Sequence, residues 1–284
     1  MATLLKGLPV SKAICEDLSV RVRALKARGV NPTLEIVRVG EREDDLAYER
    51  GAIKRCASVG IDVRVTVLDG TCGQNVLMDT VARINEDDSI HGCLMFRPLP
   101  AHLDERAACA ALLPSKDVDC STSESMFGVF VGRRVGFPPC TAEACMALLD
   151  YYGVNVDGID ATVVGRSLVI GRPLSMMLLE RNATVTTCHT HTKDMKKKTR
   201  ASELLVIAAG HMGTLGAEGV RPGQIVVDVG INWDEKANKL CGDVSFDEVE
   251  PIVEAITPVP GGIGSVTTAI LAKHIVEAAE LSVS

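Results

Sequence analysis

The chain has 284 residues, of which 46% are hydrophobic and 24% are charged, with a formal net charge of −7 at pH 7. This acidic balance argues against binding to nucleic acid or to an anionic membrane surface. The start of the chain lacks a signal-peptide pattern and no run of about 18 apolar residues occurs, so we expect a cytoplasmic protein without a membrane segment. The ten cysteines form no CxxC pair, which favours reduced thiols over a disulfide framework.

The first half of the chain alternates between helical and extended patterns. Apolar residues at helical spacing predict a helix over 11–29, with Gly29 at its carboxyl end. After it, the predicted elements are a strand at 32–39, a helix at 44–59, a strand at 63–68, a helix around 77–84 and a strand at 92–96. This βαβα order predicts a parallel sheet covered by helices.

The stretch 114–140 breaks this rhythm with turn-forming residues, and irregular segments of that length are usually functional. A helix with Thr141 as its N-cap, ending at Tyr152, is predicted to join two domains. A second alternation follows, with strands at 161–165, 184–188, 204–208 and 225–229 and helices at 173–181 and in the lysine-rich segment after 193. A last helix, from Ser265 to about Leu281, is expected to pack on the first domain.

A glycine-containing turn, VVGRSLVIGRP at 163–173, joins a predicted strand to a predicted helix. Gly165 allows a tight turn, and a helix that begins near Gly171 offers free N–H groups and a positive dipole end to a phosphate. The motif is GRSxxxG and not GxGxxG, so by itself it is also compatible with an ordinary strand-to-helix connection.

The residues after the second strand of this alternation indicate which dinucleotide binds. An NAD site usually has an acidic residue about 20 residues beyond the turn, where it binds the ribose hydroxyls. That position falls in 187–191, which contains no acid, whereas Arg166, Thr190 and Lys193 suit a 2′-phosphate. NADP is therefore preferred over NAD. His189 and His191 are interpreted as an incidental pair without metal, because no further ligands accompany them.

Further motifs occur along nearly the whole chain in a fixed order: VGEREDDLAYERGAIKRCASVGI (39–61), RPLP (97–100), KDVD (116–119), PCT (139–141), the turn at 163–173, NATVTTCH (182–189), PGQIVVDVGIN (222–232), GDV (242–244) and TPVPGGIG (257–264). Together they resemble the methylenetetrahydrofolate dehydrogenase/cyclohydrolase family of one-carbon metabolism. The resemblance implies an α/β subunit of two domains, with folate in the cleft between them, NADP as cofactor, and a homodimer. The N-terminal α/β catalytic domain would span 1–145, completed by the C-terminal helix 265–284, and the Rossmann-type NADP-binding domain 146–264.

The resemblance also implies roles for individual residues. Tyr48 would stack on the aminobenzoyl ring of the folate, and Asp119 would accept hydrogen bonds from the pterin edge, so these two are the expected catalytic residues. The backbone of Val259, Pro260, Gly261 and Gly262 would approach the folate closely. The expected cofactor-binding residues are Gly165, Arg166, Ser167, Gly171, Thr190 and Ile231.

Two departures from the family pattern bear on its hydrolytic step. The family has a lysine four residues after the tyrosine, where this chain has Ala52, and a glutamine where this chain has Phe96. In the family this pair is credited with the cyclohydrolase reaction, and general acid–base help is typically worth about 10²–10⁴ in rate. The sequence therefore predicts NADP-dependent oxidation of 5,10-methylenetetrahydrofolate to 5,10-methenyltetrahydrofolate, with cyclohydrolase activity lost or severely reduced.

Three alternatives remain open at this stage. The first is an ordinary bifunctional dehydrogenase/cyclohydrolase in which Arg55 or Arg97 substitutes for the missing groups. The second is a non-catalytic folate- or nucleotide-binding partner of another one-carbon enzyme. The third is a dehydrogenase for a different pterin carrier, since Phe96, Cys120 and Ser265 all depart from the family in folate-facing motifs.

Overall fold

A computed structural model describes residues 1–235 and 237–283, and the chain divides into two compact units. Unit 1 comprises Met1–Ser11 and Thr141–Thr267, and unit 2 comprises Lys12–Cys140 together with the chain from Thr268 onward. The first eleven residues thus differ from the expected domain of 1–145: they belong with the C-terminal unit, because their short strand pairs with a strand of that unit's sheet.

The secondary structure follows the alternation of the sequence. The helices are α1 (Gly7–Ala27), α2 (Glu43–Val59), α3 (Gln74–Glu86), α4 (Glu105–Ala111), α5 (Ser123–Val131), α6 (Cys140–Tyr151), α7 (Gly171–Glu180), α8 (Met195–Ala201), α9 (Phe246–Val249) and α10 (Gly264–Leu281). The strands are β1 (Thr3–Leu4), β2 (Thr33–Val39), β3 (Asp62–Leu68), β4 (Gly92–Met95), β5 (Asp160–Val164), β6 (Thr184–Cys188), β7 (Leu204–Ile207), β8 (Ile225–Asp228), β9 (Asn232–Asp234), β10 (Lys239–Cys241) and β11 (Ala255–Ile256).

Unit 2 is built on a parallel sheet in the order β3-β2-β4. The central strand β2 has the sequence TLEIVRV, and Leu34 and Ile36 on it are fully buried, as expected for a strand with neighbours on both sides. α10 completes this core from the far end of the chain: a Cβ atom placed on Gly92 of β4 would lie 3.2 Å from the Ile275 side chain. Each such buried aliphatic side chain stabilises the fold by roughly 1.5–3 kcal/mol.

Unit 1 is built on a parallel sheet in the order β1-β11-β8-β7-β5-β6. β5 is the first long strand of this unit, and the strands that follow it lie on opposite sides of it, β6 on one side and β7 on the other. The carboxyl ends of β5 and β7 therefore form a topological switch point, the place where open α/β sheets bind ligands.

Several elements differ from the sequence-based expectations. The stretch expected to be irregular, 114–140, contains α5, whose N-cap Thr122 accepts a hydrogen bond from the Ser125 N–H at 3.1 Å. The next helix starts at Cys140, so Thr141 lies inside it and is not its cap. The antiparallel hairpin of β9 and β10 was also not predicted, because each strand has only three residues. Within the described ranges, no helix combines the length and apolarity required to span a bilayer.

Candidate active site

Tyr48 and Asp119 lie close to one another in unit 2. Tyr48 is half-buried on α2, and its ring forms a T-shaped pair with the Phe96 ring, with centroids 5.9 Å apart and planes at 82°. Burial raises the pKa of the Tyr48 hydroxyl well above its ordinary value, and the negative charge of Asp119 adds to this effect. The phenol is therefore neutral at physiological pH.

Asp119 ends the KDVD motif and begins the loop that leads to α5. Its Oδ1 accepts a hydrogen bond from the Cys140 N–H at 3.1 Å. Burial raises the pKa of the Asp119 carboxyl, while the Cys140 N–H and the positive charges of Arg97 and His274 oppose this effect. The carboxylate is thus a partly desolvated acceptor with a cationic guanidinium nearby, an arrangement suited to binding a pair of donors.

Asp117 fixes the conformation of the same loop, a role that the sequence analysis missed. Its Oδ1 accepts from the Ser121 N–H at 2.8 Å, and its Oδ2 accepts from the Thr122 N–H and hydroxyl, both at 2.8 Å. Cys120 adopts a φ of +57°, in the left-handed region, at the position where the family has glycine. An aspartate followed closely by serine and threonine is a signal for such a turn.

His274 on α10 supports the other side of this loop. The imidazole Nδ1–H donates to the Val118 carbonyl at 2.8 Å, and the ring packs on Phe137 with centroids 4.9 Å apart. His274 is 1% exposed, so it positions the backbone next to Asp119 from within the core. The sequence gives no local signal for this contact, because the two residues are 156 positions apart along the chain.

The two positions that depart from the family in the hydrolytic step are apolar and buried in this structure. Ala52 lies one turn after Tyr48 on α2 and is 0% exposed, and Phe96 is 7% exposed. Arg55 donates to the Thr268 hydroxyl at 3.2 Å and lies 3.3 Å from the Cys15 sulfur, so its guanidinium is engaged with α1 and α10. Lys54 is exposed to solvent.

In unit 1, the predicted phosphate turn connects β5 to α7 at the switch point. Gly165 has a φ of +136°, and a Cβ there would lie 2.2 Å from the Ala208 carbonyl oxygen. A Cβ on Gly171 would lie 2.2 Å from the Gly165 carbonyl oxygen, so both positions require glycine. The Ser167 hydroxyl accepts from the Ile170 N–H at 3.1 Å, which closes the turn.

The residues expected to bind a 2′-phosphate lie around the turn and the end of β6. The Arg166 and Thr190 side chains are exposed. Partial burial lowers the pKa of His189, and the positive charges of Arg166 and His191 lower it further. The Gly165 N–H donates to the Cys188 carbonyl at 2.9 Å, which places the turn beside the segment that follows β6. The described residues contain no group of three or more potential metal ligands. The His189 and His191 pair thus has no further ligand in the described ranges.

The other predicted site residues of unit 1 lie in the loop after β8 and in the segment before α10, and they differ in exposure. Ile231, in the loop after β8, is 64% exposed. Pro260 and Gly261 are exposed, whereas Gly262 is buried, and a Cβ on it would lie 2.6 Å from the Pro258 carbonyl oxygen. The Gly261 carbonyl accepts from the Gly7 N–H at 2.8 Å, so the start of α1 holds this segment within unit 1.

A parallel sheet with a glycine turn at its switch point, leading into a helix N-terminus, defines a dinucleotide-binding α/β enzyme. Family models give the particular class. The NAD(P)-binding domain of tetrahydrofolate dehydrogenase/cyclohydrolase matches residues 139–283, and the catalytic domain of the same family matches residues 5–119. The chain belongs to the tetrahydrofolate dehydrogenase/cyclohydrolase family.

Individual relatives agree with this assignment over the full chain. The chain is 49% identical over 282 residues to the bifunctional protein FolD of Carboxydothermus hydrogenoformans, covering 99% of this chain and 98% of that protein. The bifunctional FolD structure from Campylobacter jejuni is similar with a TM-score of 0.96 and 38% identity, covering 99% of both chains. The Trypanosoma brucei FolD, complexed with NADP cofactor and inhibitor, is similar with a TM-score of 0.92 and 34% identity, covering 99% of this chain and 98% of that one.

Proposed function

We propose that this protein oxidises 5,10-methylenetetrahydrofolate to 5,10-methenyltetrahydrofolate with NADP⁺. The observation that carries the proposal is the turn from Gly165 to Gly171, whose two glycines are sterically required and whose Arg166 is exposed beside the end of β6. The N–H groups at the start of α7 would hold the pyrophosphate, and Arg166 with Thr190 would hold the 2′-phosphate. The relative from Trypanosoma brucei, crystallised with NADP, supports this choice of cofactor.

The chemistry requires alignment more than proton transfer. NADP⁺, when bound, would supply the acceptor for the hydride that leaves the methylene carbon, while the lone pair of the neighbouring nitrogen forms a double bond to that carbon. Asp119 would anchor the pterin edge as a hydrogen-bond acceptor, and Tyr48 would offer the face of a neutral ring to the aminobenzoyl group. Holding two reactants in the reactive geometry is by itself worth several orders of magnitude in rate.

We further propose that the cyclohydrolase step is lost or severely reduced in this chain. Hydrolysis of the methenyl cation requires addition of water and removal of a proton, and Ala52 and Phe96 offer no group that exchanges protons. Arg55, which was considered as a substitute, is engaged with Thr268 and Cys15. The names of the relatives support the alternative of an ordinary bifunctional enzyme, with Arg97 next to Asp119 as its remaining candidate group.

One assay separates these functions. The purified protein is given methylenetetrahydrofolate with NADP⁺ or NAD⁺, and both methenyl- and formyltetrahydrofolate are followed. We expect methenyl product to accumulate with NADP⁺ and to convert to the formyl product no faster than in protein-free buffer. Prompt formyl formation would establish the bifunctional alternative, and folate binding without turnover would establish the non-catalytic one.

The assembly and location of the protein are also part of the proposal. The resemblance implies a homodimer, and sedimentation of the purified chain would give twice the monomer mass if this is right. All ten cysteines lie in the described ranges and are free thiols, which supports a reducing compartment such as the cytoplasm.

A further inference from the structure

Two buried carboxylates lie behind the loops that follow β7 and β8. Asp228 ends β8 and is 3% exposed, and Asp243 lies in the GDV motif before α9 and is 0% exposed. An ionised carboxylate is an acceptor only, and burying its charge is costly unless donors meet its oxygens. The groups that supply these donors are therefore the groups that the two side chains hold in place.

Asp243 ties two loops together. Its Oδ2 accepts hydrogen bonds from the Ala209 N–H at 2.7 Å and the Gly210 N–H at 2.8 Å, both in the loop after β7. Its Oδ1 accepts from the Asn232 side-chain amide at 2.9 Å. Asn232 is the first residue of β9 and directly follows Ile231, which lies in the loop after β8. The distance between the two loops is thus set by one carboxylate.

Asp228 holds Asp243 in turn. Its Oδ1 accepts from the N–H groups of Gly230 and Asp243, both at 3.0 Å, and its Oδ2 accepts from the Val244 N–H at 3.0 Å. The backbone of Gly230 lies against the second carboxylate, because a Cβ on Gly230 would come within 2.2 Å of the Asp243 Oδ1. The backbone at Gly230 therefore packs directly against the Asp243 carboxylate and leaves no room for a side chain at position 230.

The position of Asp228 and Asp243 in the sheet indicates which part of a dinucleotide the loops after β7 and β8 would contact. The phosphate turn follows β5, and the ribose-binding segment of the adenine half follows β6 on one side of it. The loops after β7 and β8 lie on the other side, where the nicotinamide half of a dinucleotide extends. We propose that Asp243 and Asp228 are positioning residues for hydride transfer, which set the loops after β7 and β8 against the nicotinamide half of NADP. This inference rests on the proposed dehydrogenase function.

Asp228 also titrates in an informative range. Burial raises the pKa of Asp228 to about 6, and the negative charge of Asp243 adds to this effect, whereas the three N–H donors oppose it. The titratable groups that face Asp228 include Asp243, from the segment before α9, and Cys241 on β10. Protonation below this pKa weakens the acceptor that holds Gly230, so the loop after β8 is expected to loosen as the pH falls.

The test is the Asp243→Asn variant, which keeps the shape of the side chain. An amide has one acceptor oxygen, so it cannot serve the Ala209 and Gly210 amides and the Asn232 amide together. We expect kcat to fall by about 10- to 100-fold, as for a displacement on the order of 1 Å at the reacting atoms. The NADP⁺ KM should change much less, since the phosphate turn is untouched, and the primary deuterium isotope effect from methylene-deuterated folate should rise.

The matched control is Asp247→Asn, which removes an exposed negative charge on α9 and should leave both kcat and KM unchanged. Asn232→Ala, which removes a single donor from the pair, should give a smaller loss of kcat, and it decides the question if Asp243→Asn does not fold. An unchanged kcat in a folded variant, or a rise in KM alone, overturns the inference. If the wild-type protein lacks NADP⁺-dependent turnover, the proposed function fails instead.

The pH profile gives a second, independent readout. In the wild-type protein kcat should fall as the pH drops through the Asp228 pKa of about 6. Asp228→Asn has no carboxylate to protonate at this position. Its kcat should therefore be low at every pH and should not fall further near pH 6. If kcat of that variant falls with pH as in the wild-type protein, Asp228 is not a positioning residue.

Discussion

At the scale of single residues, the proposed loss of the cyclohydrolase step rests on the side chains at positions 52 and 96. Ala52→Lys should restore little hydrolysis, because Phe96 leaves the new ammonium without an amide partner. Ala52→Lys combined with Phe96→Gln should restore more, and a general acid–base pair is worth about 10²–10⁴ in rate. The measurement is the conversion of methenyl- to formyltetrahydrofolate above the buffer rate. Equal rates in the single and double variants would contradict the pairing.

The proposed preference for NADP⁺ over NAD⁺ rests in the same way on Arg166. Its exposed guanidinium lies beside the segment after β6, where a 2′-phosphate would be bound. Arg166→Ala should therefore raise the KM for NADP⁺ more than the KM for NAD⁺, measured with methylenetetrahydrofolate at saturation. Arg172→Ala, an exposed arginine in the first turn of α7, is the matched control. Equal changes in the KM for NADP⁺ and for NAD⁺ would show that Arg166 does not bind the 2′-phosphate.

At the scale of elements, the turn between β5 and α7 depends on the absence of two side chains. Gly165→Ala would place a methyl group 2.2 Å from the Ala208 carbonyl oxygen and force a residue with a side chain into a φ of +136°. Such backbone strain costs on the order of 1–3 kcal/mol, and the collision adds to it. Urea unfolding and the NADP⁺ KM measure the two consequences, and both should worsen.

Gly158→Ala is the control for this prediction. Gly158 also has a positive φ, of +77°, but a Cβ there meets nothing within 4 Å. It should lose some stability and leave the NADP⁺ KM unchanged. If the two variants behave alike, backbone strain alone accounts for the requirement at Gly165, and the close approach to Ala208 has no separate effect.

The elements that the sequence predicts well are those with long periodic patterns. β2 and β6 lie within one residue of their predicted bounds, since buried strands of Val, Ile, Leu and Thr between turn residues are unambiguous. α5 was missed because its stretch contains Gly128 within and Gly132 after it, and glycines mask a helical pattern. β1 was missed because two residues are too few to show the alternation of apolar and polar residues that marks a strand. Its place follows only from pairing with β11, some 250 residues away.

The candidate site divides in the same way. Tyr48, Asp119 and the turn from Gly165 follow from motifs that are continuous in the sequence. Asp228 and Asp243 lie in such motifs too, yet their roles arise largely from contacts between residues 11 to 34 positions apart. A sequence motif indicates that a residue type is required, whereas hydrogen bonds over such distances appear only when the chain is folded.

At the scale of the whole molecule, the two units do not correspond to two continuous stretches of chain. The boundaries between the units fall within α1, within the first turn of α6 and within α10. Unit 1 requires β1 from the very start of the chain, and unit 2 requires the segment after Thr268 at its end. A cut between Cys140 and Thr141 would therefore leave both fragments incomplete, and we expect neither to fold unless the two are mixed.

This interleaving has a consequence for the order in which the protein is made. The first strand leaves the ribosome long before its partner β11 exists, and at about 5–20 residues per second the delay is roughly ten to fifty seconds. The sheet of unit 2 emerges early as well, but α10, which completes its core, is synthesised only after all the strands of unit 1. Neither unit can close before β11 and α10 have been synthesised, so the nascent protein keeps apolar strand surface exposed until then.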